Sequence, residues 1–114
     1  MDDCLFCKMV AGEITPDVVY EDDDVLAFRD LSPQAPVHNL VIPKRHISTL
    51  NDLSVEDAEL MGKLFLTAQK IAVQEGIDQQ GYRTVVNCNK DAGQTVFHIH
   101  MHVLGDRSFS WPPG

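Results

Sequence analysis

The sequence predicts an α+β fold in which a five-stranded antiparallel meander sheet packs against one long helix, with a short helix at the N-terminus. Five short segments rich in β-branched and aromatic residues are separated by turn-forming residues. One longer segment carries apolar residues at helical spacing. The chain has 114 residues, of which 44% are hydrophobic, and this predicts a single globular domain over residues 1–114.

The first helix is predicted over residues 4–11, because Gly12 can end a helix in the left-handed conformation. Residues 32–36 contain two prolines and predict a loop, and Pro43 should end the strand that precedes it. The predicted strands are bounded by glycine, proline or acidic turn residues and span residues 18–20, 25–29, 38–42, 82–88 and 96–104.

The long helix is predicted over residues 55–75. Ser54 is a suitable N-cap, and Gly76 should end the helix. Its apolar face should pack against the sheet and consists of Ala58, Met61, Leu64, Phe65, Ala68, Ile71 and Ala72.

Charge and cysteine content exclude several classes of function. The formal net charge is −8, so a broad basic surface for nucleic acid is not expected. No apolar run is long enough to cross a bilayer, so no membrane partner is expected. The acidic N-terminus lacks the apolar stretch of a signal peptide, and three cysteines do not form a disulfide framework. These features predict a cytoplasmic protein.

Three histidines alternate along the predicted fifth strand, where His98, His100 and His102 should share one face. The opposite face should be apolar, with Phe97, Ile99, Met101 and Val103 packed on the long helix. Packing alone does not explain three imidazoles on one face, because burying an unpaired imidazole is costly. Two interpretations remain, in which the histidines bind a metal or one histidine is a nucleophile that the others support.

The residues before these histidines favour the nucleophile. Gly93 permits close approach of the backbone, while Gln94 and Thr95 supply polar groups beside the histidines. Such groups suit a phosphate better than an isolated metal ion.

Residues 98–104, His-Ile-His-Met-His-Val-Leu, resemble the signature of the histidine triad (HIT) family. Residues 28–38, 41–47 and 111–114 are similar to the Hint branch of that family. The resemblance implies a HIT-like fold and a strand-paired homodimer. It also implies that the tail, residues 105–114, reaches toward the partner's site, where Trp111 would shape the leaving-group side.

The resemblance implies a role for each matching residue. His100 would attack the α-phosphorus of a purine nucleotide substrate, and His102 would contact the phosphate oxygens. Thr95, where the branch usually has serine, would help to protonate the leaving group, and His38 would support the triad. The implied substrate-binding residues are Asp30 at the ribose, Leu31 near the base, and Asn87, Gly93 and Gln94 at phosphate-contacting or loop positions.

The implied activity is hydrolysis of purine nucleoside 5′-phosphoramidates through a covalent nucleotidyl-histidine, with no cofactor for catalysis. A metal-dependent hydrolase that uses the three histidines as ligands is one alternative, and a nucleotide-binding regulatory protein is another. The sequence departs from the family at Ala92 and Asp106, where relatives often have glycine.

Cys4 and Cys7 form a Cys-x-x-Cys pair, which alone fits metal binding, redox chemistry or chance. A zinc site would need two further ligands. The resemblance implies that these would be His46 and His98, so that structural zinc is expected at Cys4, Cys7, His46 and His98.

Overall fold

The computed structural model describes residues 3–114 and contains five strands and three α-helices in that range. The strands are β1 (Val18–Glu21), β2 (Val25–Arg29), β3 (Val37–Pro43), β4 (Tyr82–Val85) and β5 (Met101–Gly105). The helices are α1 (Leu5–Val10), α2 (Ala58–Gln74) and α3 (Asn89–Ala92), with 3₁₀ turns at Leu50–Asp52 and Val55–Asp57. All strand pairs are antiparallel, which confirms the predicted fold class.

The strand order is β1-β2-β3-β5-β4, so the sheet is not the simple meander predicted from the sequence. β5 lies between β3 and β4, where Met101 and Val103 are almost completely buried. β4 lies at the edge, and its residues are only half-buried or exposed. The more apolar strand therefore occupies the centre, and the more polar strand takes the edge.

The fifth strand begins at Met101, so its predicted start at residue 96 was wrong. The backbone bends over residues 96–98, and β4 ends at Val85, which removes the partner on one side. On the other side β3 ends at Pro43, and the Ile99 N–H instead donates to the carbonyl of Ile47 (2.7 Å). The bend turns Phe97 outward, 48% exposed, against the prediction that it joins the apolar face.

The long helix agrees with its prediction except in its first turn and at two residues predicted on the apolar face, Ala58 and Phe65, which are exposed. Residues 55–57 form a 3₁₀ turn before α2, and the Ser54 N–H donates to the Asp57 carboxylate (2.9 Å). Gly76 has a φ of +74° just after the helix, which is the left-handed geometry expected of a helix stop. Phe65 is 59% exposed, so its predicted place on the core face was wrong.

The sheet has a different apolar layer on each face. α2 covers one face, where Leu64 and Ile71 pack against Met101 and Val103. α1 covers part of the other face, where Phe6 joins a cluster of Leu26, Phe28, Leu40 and Ile42. His38 and His102 lie on this second face, because they share it with Leu40 in the register of β3 and β5. Within residues 3–114, no helix combines the length and apolar character needed to span a bilayer.

Candidate active site and metal centre

His100 lies just before β5 and is only 8% exposed. Its Nδ1 is 2.8 Å from the carbonyl oxygen of His98. Because a carbonyl oxygen can only accept, Nδ1 carries the proton and Nε2 carries the lone pair. The ring of Phe6 packs edge-on against His100 with centroids 5.1 Å apart, which restricts the orientation of the imidazole. In this tautomer the Nε2 lone pair of His100 is the atom that can act as a nucleophile.

His102 lies beside His100, with ring centroids 5.1 Å apart. A chain of hydrogen bonds determines which ring nitrogen of neutral His102 carries the proton. The Gln34 N–H donates to His38 Nδ1 (2.9 Å), so the proton of neutral His38 is on Nε2. His38 Nε2 is 2.9 Å from His102 Nδ1 and donates to it. The remaining proton of His102 is therefore on Nε2, where it can donate to an anionic oxygen.

The surroundings keep these two histidines neutral near pH 7. Burial, followed by the nearby His100 and His38, lowers the pKa of His102 to about 4. Burial also lowers the pKa of His38, although the Asp30 carboxylate opposes this shift. Asp30 Oδ2 lies 3.4 Å from His38 Nε2, while Oδ1 accepts the Ser32 N–H (2.7 Å).

A cavity of about 290 Å³ lies in front of His100 and His102. Thr95, Asp30 and Leu31 line the same cavity. The apolar part of the wall consists of Leu5, Phe6, Met9, Ile14, Phe28, Leu40 and Val96. An apolar cavity with a few polar groups beside two oriented imidazoles suits a flat aromatic ring attached to an anionic group.

The second cluster of functional side chains consists of Cys4, Cys7, His46 and His98. One candidate ligand atom from each residue lies within 4.8 Å of the others. His98 Nδ1 is 3.5 Å from Cys4 Sγ and 3.6 Å from Cys7 Sγ. His46 Nδ1 is 3.2 Å from both Cys7 Sγ and His98 Nδ1. The structure thus brings together residues far apart in the sequence.

The other ring nitrogens of these histidines have partners outside the cluster. His98 is fully buried, and its Nε2 lies 2.7 Å from the Pro43 carbonyl oxygen, which fixes the Nδ1 lone pair toward the sulfurs. His46 Nε2 lies 3.2 Å from Ser48 Oγ. Burial, together with the neighbouring Cys4, raises the pKa of the Cys7 thiol to about 11, so a Cys7 thiolate near neutral pH would require a nearby cation. Two sulfur and two imidazole ligands with hydrogen-bonded outer nitrogens fit a structural zinc ion.

The three alternating histidines do not form a single ligand cluster among residues 3–114. His98 belongs to the cysteine cluster, whereas His102 belongs to a group with Asp30 and His38. His100 belongs to neither group. The expectation of three equivalent ligands, left open by the sequence, has no geometric support.

Comparisons with known proteins identify the family to which the chain is related. The HIT domain family model matches residues 11–109. The chain belongs to the histidine triad family. A HIT-like protein of Synechococcus elongatus is 54% identical over 99% of this chain and 98% of its own length. Purine nucleoside phosphoramidase of Escherichia coli is 51% identical over 93% of this chain and 89% of its own.

Solved HIT structures are similar in fold as well as in sequence. The crystal structure of a HIT family hydrolase from Legionella pneumophila has a TM-score of 0.96 and 53% identity, covering 98% of this chain and 100% of that one. A histidine triad protein from Clostridium difficile has a TM-score of 0.93 and 44% identity, with 96% of each chain covered. This chain therefore has the HIT fold and is related to hydrolases of the family.

Several residues predicted from the HIT resemblance lie away from the cavity wall. The Gln94 side chain is buried and braces the loop, donating to the carbonyls of Ser48 (2.8 Å) and Val96 (3.1 Å) and accepting the Asn89 N–H (2.8 Å). Gln94 thus stabilises the loop before the histidines, and a phosphate contact of this residue stays a prediction. Gly93, with a φ of +92°, ends α3 and allows the turn toward Gln94.

Asn87 and Trp111 also lie outside the set of residues that line this cavity in the described chain. Asn87 is half-buried after β4, and Trp111 is 82% exposed in the tail. The predicted role of Trp111 concerns a partner's site and stays a prediction.

The HIT pattern did not reveal three groups that orient the histidines. They are the Gln34 N–H, the Pro43 carbonyl and the Phe6 ring. The first two are backbone atoms, which no residue type identifies. Phe6 lies between the two cysteines, and only its place in the fold brings it to His98 and His100.

Proposed function

We propose that this protein hydrolyses purine nucleoside 5′-phosphoramidates to a nucleoside monophosphate and an amine, with His100 as the nucleophile. The main supporting observation is the hydrogen bond from His100 Nδ1 to the His98 carbonyl, which leaves Nε2 as a lone pair beside the cavity. The 51% identity to purine nucleoside phosphoramidase of Escherichia coli supports the same substrate class.

In the first step, His100 Nε2 attacks the α-phosphorus, and the P–N bond to the amine breaks. The positive charge that develops on the ring is stabilised by the Nδ1–H bond to the His98 carbonyl. His102 Nε2–H donates to a phosphoryl oxygen as negative charge shifts there. The Thr95 hydroxyl, on the cavity wall, delivers a proton to the departing nitrogen.

In the second step, water attacks the phosphorus of the nucleotidyl-histidine and gives up a proton that restores the Thr95 hydroxyl, and the P–Nε2 bond breaks. The nucleoside monophosphate leaves, and His100 returns to the neutral form with its proton on Nδ1. The Asp30 carboxylate, on the same cavity wall, accepts hydrogen bonds from the ribose hydroxyls, and Leu31 packs against the purine.

We also propose that Cys4, Cys7, His46 and His98 hold a structural zinc ion. The ion would link the start of α1 to the loop after β3 and to the segment before β5. Metal analysis of protein purified without added zinc should give about one zinc ion per chain, and absence of stoichiometric zinc would refute this part of the proposal.

The protein is further proposed to act as a homodimer paired along β4. β4 is an edge strand of the sheet. On α2, Phe65, Leu66 and Val73 are about 60% exposed, which is unusual for a helix that faces only water. A second copy covering this helix would also bring the exposed tail close to a neighbouring site.

Incubation with adenosine 5′-phosphoramidate tests the central claim. The parent chain should release AMP, and His100→Gly should not, while circular dichroism shows that both are folded. Equal AMP release by the two proteins would refute the nucleophile. A chelator that leaves the fold intact should not abolish AMP release, whereas loss of activity in the folded protein would favour a metal-dependent hydrolase.

A further inference from the structure

Arg107 lies just after β5 and is exposed, yet its side chain is held at three points. Nε donates to the carbonyl of Gln34 (3.0 Å), and Nη1 donates to the carbonyl of Ser108 (3.0 Å). The guanidinium carbon lies 4.1 Å from the centroid of the Phe109 ring, within the range of a cation–π contact. Three contacts therefore restrict the orientation of this exposed side chain.

The contact with Gln34 connects Arg107 to the histidines. The Gln34 carbonyl accepts from Arg107, and the N–H of the same residue donates to His38 Nδ1 (2.9 Å). His38 Nε2 in turn donates to His102 Nδ1 (2.9 Å). Three consecutive hydrogen bonds therefore run from the base of the tail to the second histidine of the cavity.

We propose that Arg107 is a positioning residue that fixes the tautomers of His38 and His102 by holding the backbone of Gln34. The inference rests on the proposed function only for its effect on catalysis. Gln34 lies in an exposed loop between Pro33 and Pro36, whose nitrogens cannot donate. The Arg107 hydrogen bond holds the Gln34–Ala35 peptide, which restricts the rotation of Gln34 and so maintains the loop conformation in which the N–H of the preceding peptide points toward His38.

Loss of this contact has a defined chemical consequence. When the Gln34 N–H no longer points at His38, the proton of neutral His38 is free to occupy Nδ1. His38 Nε2 then becomes an acceptor, and His102 Nδ1 must carry the proton to donate to it. His102 Nε2 would be a lone pair and would repel a phosphoryl oxygen rather than bind it.

Nitrogen-15 NMR of the imidazole rings tests this proposal in the complete chain without substrate. In the parent protein, His38 and His102 should each show a protonated Nε2 and an unprotonated Nδ1. Arg107→Met keeps the stem against Phe109 but removes every donor, and both rings should show mixed tautomers. Arg107→Gln and Arg107→Lys each retain a side-chain donor group, so both should lie between Arg107→Met and the parent.

Arg83 provides the matched control. Its guanidinium carbon also lies near the Phe109 ring (5.0 Å), and it donates to the Ser110 carbonyl (3.1 Å), but its hydrogen bond does not go to Gln34. Arg83→Gln should leave the imidazole signals of His38 and His102 unchanged. Equal changes in the Arg83 and Arg107 variants would refute the proposal, because they would indicate general loosening of the tail.

Kinetics with adenosine 5′-phosphoramidate provide the second measurement. Arg107→Met should lower kcat by roughly 5-fold, the effect of one hydrogen bond, with little change in KM. Parent-like tautomers and kcat in Arg107→Met would refute the proposal. If the parent chain does not turn over the phosphoramidate, the proposed function fails, but the NMR comparison still decides the role of Arg107.

Discussion

The backbone carbonyl of His98 accepts the Nδ1–H of His100 at 2.8 Å, while the side chain of the same His98 lies among Cys4, Cys7 and His46. One buried residue thus belongs to the candidate metal centre through its ring and to the candidate active site through its backbone. A change at the cysteines should therefore affect stability first and catalysis through the position of His100.

Replacement of one cysteine tests this connection. Cys7→Ser should lower the zinc content and reduce Tm by several degrees, because a structural metal contributes to folding. Inductively coupled plasma mass spectrometry and calorimetry give the two quantities. Cys88→Ser is the matched control, since Cys88 is half-buried but lies outside the ligand cluster. Equal zinc content and Tm in Cys7→Ser and the parent would contradict the metal centre.

The low pKa of His102 predicts a loss of stability in acid. With a pKa of about 4 in the folded protein and about 6.5 when unfolded, the unfolded chain binds the extra proton between these values. Stability from this group is therefore complete above about pH 6.5 and falls as the pH drops toward 4.

Urea unfolding at pH 7 and pH 5 measures this effect. The free energy of unfolding of the parent should fall by about 2 kcal/mol from this group alone. His102→Gln removes the titrating ring and should show a correspondingly smaller fall over the same range. An identical pH dependence in parent and variant would mean that His102 is not the responsible group.

The sequence could predict the parts of the candidate site that are formed by side chains, but not those formed by backbone atoms. Alternation of His98, His100 and His102 indicated the candidate active site, and the Cys-x-x-Cys pair indicated half of the candidate metal cluster. Alternation did not reveal that His98 and His100 precede β5, because the end of β4 at Val85 and the proline at 43 decide where pairing begins.

The strand order and the exposed side chains were harder to predict for a related reason. The insertion of β5 between β3 and β4 minimises exposure of Met101 and Val103, which is a property of the whole sheet. Phe65 has the correct helical spacing for the core but lies beyond the edge of the face that the sheet covers. Periodicity predicts which face of a helix a side chain is on, but not how far the sheet that packs against that face extends.

Asp30 is predicted to select ribonucleotides. Its carboxylate lies on the cavity wall and is oriented by the Ser32 N–H (2.7 Å). Asp30→Asn should lower kcat/KM for adenosine 5′-phosphoramidate by roughly 10-fold, but by less for the 2′-deoxy substrate, which keeps only the 3′-hydroxyl. Asp17→Asn is a suitable control, since Asp17 also lines the cavity but pairs with Arg29 (3.4 Å). Equal losses for both substrates in Asp30→Asn would refute ribose recognition.

The proposed dimer predicts that the exposed face of α2 is buried by a second copy. Leu66→Glu places a charge on this face and should shift the protein from dimer to monomer in sedimentation velocity. Val55→Glu is the control, because Val55 is 91% exposed and precedes α2. A monomeric parent chain at micromolar concentration would contradict the proposed dimer directly.

Trp111 is predicted to shape the leaving-group side of the partner's site. It is 82% exposed and lies outside the lining of its own chain's cavity. Trp111→Ala should therefore change the relative kcat/KM for phosphoramidates with small and bulky amines, while Tm stays near the parent value. Kinetics over a series of amine leaving groups measure this change.

Mixed dimers separate action across the interface from action within one chain. In a heterodimer of Trp111→Ala with His100→Gly, the intact His100 of one chain faces the intact Trp111 of the other. If the tail acts across the interface, mixing and refolding the two variants should restore the parent's preference among amines at up to about half the parent's rate. If Trp111 acts within its own chain, that heterodimer contains no complete site. Preference would then stay at the Trp111→Ala value at every mixing ratio.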